Sequence, residues 1–79
     1  MIERGTIIRS LKGRNKGSLA AVLSCDERFV YIADGKEYKT ARPKPKNPKH
    51  IQPTGETLGE NIILHDAKLR KALNKVNPK

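Results

Sequence analysis

The chain has 79 residues and carries 17 Lys and Arg against 8 Asp and Glu, for a net charge of +9. A chain this short makes one small domain with a modest core, which argues against a roomy catalytic cleft. The positive excess goes far beyond what solubility needs, so an anionic partner is expected.

The N-terminal segment is broken by Glu3, Arg4 and Arg9 and lacks the apolar centre of a secretory signal, so a cytoplasmic location is expected. Thr6, Ile7, Ile8 and Arg9 form a short β-prone run, and residues 19–25 form a second. Between them, residues 12–18 are rich in Gly, Asn and charge and read as a loop. Cys25 is the single cysteine, which excludes an internal disulfide and fits a reducing compartment. Residues 29–33 make a third run, apolar on both parities, as in a central and largely buried strand with Phe29 and Tyr31 in the core. The Asp34-Gly35 pair predicts a tight hairpin turn, because Gly35 can take positive φ without strain, and 36–41 would be the returning strand.

Pro43, Pro45 and Pro48 deny backbone donors to any ladder. Residues 42–49 therefore read as an extended, exposed arm. His50, Ile51 and Gln52 could add one last strand before Pro53, Thr54 and Gly55 break it. In 57–64, Gly59 and the nearby Gly55 weaken any helix, so 55–65 reads as a connecting loop with a short strand or turn. Residues 66–76 are clearer: Leu69, Leu73 and Val76 recur at i, i+4 and i+7, with Lys68, Arg70, Lys71 and Lys75 around the wheel. Asp66 suits the N-cap or first turn and Lys75 the last, so a basic amphipathic helix is predicted, stopping near Asn77-Pro78.

Four or five short strands in the first 54 residues are too few for two filled sheets, and a small, partly open barrel resolves their edges. The predicted fold is mainly β, a barrel over 1–54 including the arm 42–49, with the helix packing Leu69, Leu73 and Val76 on it. Its core would draw on Ile7, Leu19, Ala21, Leu23, Val30, Ile32 and Ile51. The charge is not spread evenly: residues 36–50 carry six cations and one acid, and 66–79 carry five and one. A clustered excess is a stronger sign of nucleic-acid contact than a uniform one.

The run from Gly5 through Lys12-Gly-Arg-Asn-Lys-Gly17 to Leu23 resembles a KOW motif: a strand, a basic glycine-bounded loop and a second strand. The segments 29–35, 42–49, 49–54 and 68–73 are similar, in order and spacing, to small bacterial KOW-domain RNA-binding proteins. Those are related to KOW-containing ribosomal proteins of the archaeal and eukaryotic large subunit. The resemblance spans nearly the whole chain. It implies an SH3-like barrel and binding to structured RNA, with ribosomal RNA or the ribosome as the expected setting.

The residues suit that chemistry independently. Gly13 and Gly17 permit a tight path and close approach of backbone N–H groups to phosphate, while Lys12, Arg14 and Lys16 charge the same tip, with Asn15 between them. Arg14 is the leading candidate, since its planar guanidinium can bridge two phosphate oxygens or stack on a base. The plain alternative is a solvated hairpin whose glycines serve only the turn. Arg42, Lys44, Lys46 and Lys49 project from a proline-stiffened stem suited to tracking phosphates, though such a run also makes a soluble linker. His50 could add a donor or be an ordinary edge histidine. The helix cations serve contact or solubility equally well.

With three aromatic residues in all, recognition by backbone charge and shape is expected over base-by-base stacking. No pairing of Cys25, His50 and His65 gives a metal-ligand spacing, and no nucleophile or phosphate-cradling motif appears, so no catalysis, metal or cofactor is expected. A monomer is expected. Two other readings compete: a KOW-type protein-interaction module, associated with the ribosome or with transcription, and a DNA binder.

Overall fold

The computed structural model describes residues 2–76. Five strands form one antiparallel sheet: β1 (Thr6–Ser10), β2 (Leu19–Cys25), β3 (Val30–Ala33), β4 (Lys44–Lys46) and β5 (Ile51–Thr57). Their order is β4-β3-β2-β1-β5. Two helices follow, α1 (Glu60–Ile63) and α2 (Asp66–Val76). The expected helix stop at Asn77-Pro78 and the last cation, Lys79, lie outside the described residues.

The link between the two edge strands shows that the sheet is curled. A flat five-stranded sheet would hold its edges about 19 Å apart. Lys46 and Ile51 are joined by only four residues, three of them in a 3-10 turn, Pro48–His50. Five Cα steps reach about 18 Å when fully extended, and a 3-10 turn advances only about 2 Å per residue. So short a link draws β4 and β5 towards each other, and the mainly β fold is consistent with a small SH3-like barrel.

Strand alternation then divides the core in two. Ile7, Leu19, Ala21, Leu23 and Ala33 face the helices and pack with Ile63, Leu69 and Leu73, with Leu58 and Val76 at the margin. Ile8, Ala20, Val22, Val30, Ile32 and Ile51 fill the other face, enclosed by the curl. All seven expected core residues are buried. Burial on both faces explains why Ala20-Ala21-Val22 reads as a continuous apolar run.

Four expectations are corrected. Residues 36–41 are not the returning strand, because the Asp34 carboxylate accepts the N–H groups of Lys36 and Tyr38, both at 2.9 Å. The Tyr38 carbonyl accepts from Asp34 and Gly35 in turn. The side chain thus builds a wider turn than a two-residue hairpin, although Gly35 does take positive φ, +75°. The chain returns later, as β4 inside the proline-rich arm, with Pro45 opposite Tyr31. An edge strand tolerates proline because one side of it needs no donors.

Pro53, Thr54 and Gly55 do not end the last strand either. β5 pairs only with β1, its register shifts between Thr6 and Ile8, and it runs on to Thr57, past residue 54. Gly55 sits at φ +91°, and the Thr54 hydroxyl donates to the Ile7 carbonyl at 2.9 Å where the ladder is interrupted. The stretch read as loop contains α1, whose Ile63 is buried; its burial against α2 outweighs the weak propensity around Gly59.

Phe29 and Tyr31 are not core residues. Phe29 is 38% exposed, and Tyr31 lies half-buried with its hydroxyl donating to Asp26 Oδ2 at 2.7 Å. The Phe29 N–H does most to hold Asp26 below its ordinary pKa, followed by the Tyr31 hydroxyl and the Arg28 N–H. The same bond raises Tyr31. The Asp26 contribution to folding is present above the ordinary Asp value, about 3.9, and is lost as pH falls through the depressed folded value. Tyr31 contributes below about 10 and loses it as pH rises through its raised value. Tyr31→Phe is expected to move Asp26 part of the way back towards its ordinary pKa, since the two backbone donors remain. Carboxyl-carbon NMR titration reads this, and an unmoved Asp26 would show that the hydroxyl bond does not form in solution.

Candidate nucleic-acid interface

The loop between β1 and β2 is held from its base. Ser10 and Ser18 meet backbone to backbone at 2.9 Å, and the Gly17 N–H donates to the Ser10 carbonyl at 2.7 Å. Within the tip, Lys16 donates to the Gly13 carbonyl and Ser18 to that of Asn15. Gly13 and Gly17 have φ of +95° and +89°, a region L-residues rarely occupy, so both glycines are conformationally required. The Ser10 hydroxyl donates to the Lys12 carbonyl and the Arg9 guanidinium to that of Gly17. Lys12, Arg14 and Lys16 are all exposed.

The arm comes up beside this loop. Lys46 Nζ donates to the Lys12 carbonyl at 3.1 Å, so cations distant in sequence share one surface. Lys49 and His50 stand in the 3-10 turn, which Asn47 caps by accepting the Lys49 N–H at 2.9 Å. The His50 carbonyl accepts from Leu11 at 2.8 Å, placing this turn against the base of the loop. Lys44 holds its ammonium 5.6 Å from the Tyr38 ring centroid, within range of a cation–π attraction. Arg42 is exposed in the turn before β4 and makes no side-chain hydrogen bond to the loop among the described residues.

Two contacts reach across the loop to the 34–38 turn. Asn15 Nδ2 donates to the Tyr38 hydroxyl at 2.8 Å. Arg14 Nη2 stands 3.4 Å from Glu37, with the Arg14 side chain 85% exposed. A pair this exposed is worth roughly 0–1 kcal/mol, so an incoming phosphate can displace Glu37 at little cost. Nothing in the sequence marks Tyr38: it is one aromatic in a charged run, and only the fold sets it against Asn15 and Lys44. Arg9 likewise reads in the sequence only as part of a strand, and the fold adds its contact with Gly17.

A cleft of about 180 Å³ opens beside this contact, lined among others by Gly13, Asn15, Ala20, Ile32, Tyr38 and Lys46. A second, of about 240 Å³, shares Asn15, Ser18, Leu19 and Asp34 with it and extends to Arg70 and Leu73. Arg70 Nη1 also donates to the Gly35 carbonyl at 3.3 Å, so this helix cation belongs to the groove. Lys68, Lys71 and Lys75 are exposed and line neither cleft.

Among the described residues no three His, Cys, Asp or Glu side chains are grouped to hold a metal ion. No helix among them is long and apolar enough to cross a membrane. Cys25 is free and exposed at the end of β2. No protein-family model matches the chain, and no curated protein matches it.

Proposed function

We propose that the protein is a non-catalytic RNA-binding module that docks on structured RNA. The observation that carries this reading is the Lys46–Lys12 contact, which joins the loop cations Lys12, Arg14 and Lys16 to the arm cations Lys44, Lys46 and Lys49. Exposed cations beside a glycine-bounded loop offer phosphate both charge and backbone N–H groups. The resemblance to small bacterial KOW-domain proteins favours RNA over DNA and makes ribosomal RNA, or another RNA of translation, the proposed ligand. A cytoplasmic monomer without cofactor completes the proposal.

Salt dependence tests it. About four phosphate contacts imply that affinity for a structured RNA falls by at least about 50-fold between about 50 and 200 mM salt. Fluorescence anisotropy across that range reads the slope, and a flat response would sink the reading.

A protein-interaction module is the second reading. It is favoured by the uncovered Phe29, which stands edge-on to Tyr31 with centroids 6.5 Å apart, and by Pro45 across the ladder from Tyr31. That version requires a partner that persists in high salt and after nuclease treatment.

A further inference from the structure

We infer that the cleft between the loop and the arm receives one unpaired nucleobase of the bound RNA; this rests on the RNA-binding reading above. Ala20 and Ile32, from the sheet face enclosed by the curl, line the cleft although both are buried, as does the buried Ser10, so its floor is mostly apolar with one hydroxyl. The Tyr38 ring adds an aromatic wall, fixed at its hydroxyl by Asn15 and steadied by the Lys44 ammonium. A flat aromatic heterocycle with a polar edge fits such a site, because its faces pack on apolar groups and an aromatic ring while its edge meets amide and hydroxyl groups.

The rim supplies what a base alone would not need. Arg14, Lys44 and Lys46 line the same cleft, so the phosphates on either side of the inserted nucleotide meet cations. The mouth is open at Gly13, where an added Cβ would meet only Lys46 Nζ, at 3.7 Å. The cleft is small, about 180 Å³ against about 300–1,000 Å³ for pockets that enclose a whole drug-sized ligand, which suits a single flat ring system. The base must come from outside a stacked helix, which makes a bulge or loop nucleotide the chemical class required. Backbone charge then sets overall affinity, and the cleft chooses where on a folded RNA the protein docks.

Two RNA duplexes annealed from separate strands test this, one fully paired and one of the same number of base pairs with a single bulged nucleotide. The intact protein is expected to bind the bulged RNA about tenfold more tightly. Tyr38→Ala is expected to abolish the difference between the two and Tyr38→Phe to keep most of it. As a readout that needs no variant, 2-aminopurine at the bulge should change its fluorescence when the wild-type protein binds. Equal affinities with an unchanged 2-aminopurine signal would overturn the cleft assignment and leave RNA binding standing. Failure to bind either RNA would overturn both.

Discussion

Arg14→Glu combined with Lys16→Glu is expected to weaken binding to structured RNA by at least about tenfold, with the melting temperature of the protein close to that of the wild type. Both side chains are exposed, and the hydrogen bonds that hold the loop come from backbone groups and from the side chains of Arg9, Ser10, Asn15 and Lys46, none of which is changed. The double change therefore reverses two charges without removing a structural contact other than the Arg14–Glu37 pair. That pair is worth at most about 1 kcal/mol. On the RNA side each reversal replaces an attraction to phosphate with a repulsion and removes a site of counterion release. Anisotropy on a hairpin RNA, with a thermal melt beside it, separates lost contact from lost fold. Unchanged affinity would take the loop out of the interface and leave the arm as the binding element.

Gly35→Ala is expected to destabilise the fold by about 3 kcal/mol. Gly35 is buried at φ +75°, and a Cβ there would run into the backbone carbonyl of Asp66 at the start of α2. The left-handed conformation costs an L-residue about 1–2 kcal/mol, and forcing a methyl group into a packed site costs about 1–3 kcal/mol more. For a domain of this size, total stability is about 4–12 kcal/mol, and the melting temperature should fall by about 12 °C or more. Gly17→Ala is the comparison, since its φ is similar, +89°, but its Cβ would meet nothing within 4 Å. It should show the conformational cost alone. Equal melting temperatures for the two variants would mean that α2 does not seat against the 34–35 turn as described.

That seat also bears on the groove. Asp66 Oδ1 accepts the Thr40 N–H at 2.7 Å, and Arg70 reaches the Gly35 carbonyl from the next turn of the helix. One short stretch thus locates both the start of α2 and the 34–40 turn that carries Glu37 and Tyr38. Loosening it should disturb the groove wall as well as the core.

Much of the fold was legible because two periodicities dominate it. Leu69 and Leu73 repeat at helical spacing, and Ile7, Leu19, Ala21, Val30 and Ile32 mark strands whose burial is nearly complete. Illegible were the places where a side chain or an edge position overrides local preference. Asp34 spends its carboxylate on two N–H groups and converts an expected hairpin into a wider turn. Pro45 and Pro53 read as strand breakers, yet both lie in edge strands. Phe29 and Tyr31 read as core because aromatic runs usually are, but the helices cover β1 and β2 and leave that end of β3 open.

The amino-acid sequence by itself determined that the domain is small, mainly β and closed by an amphipathic helix, and that its cations cluster on a glycine-bounded loop and a proline-rich arm. These follow from periodicity and charge, which are properties of neighbouring residues. Only the tertiary structure decided that the two clusters make one surface. Lys12 and Lys46 are 34 residues apart, and no local rule joins them. They meet because four residues must bridge the opposite edges of the sheet, which curls it until the arm lies against the loop. The same curl sets Tyr38 beside Asn15 and opens the cleft between them, turning a net charge of +9 into a groove with a floor, an aromatic wall and a basic rim.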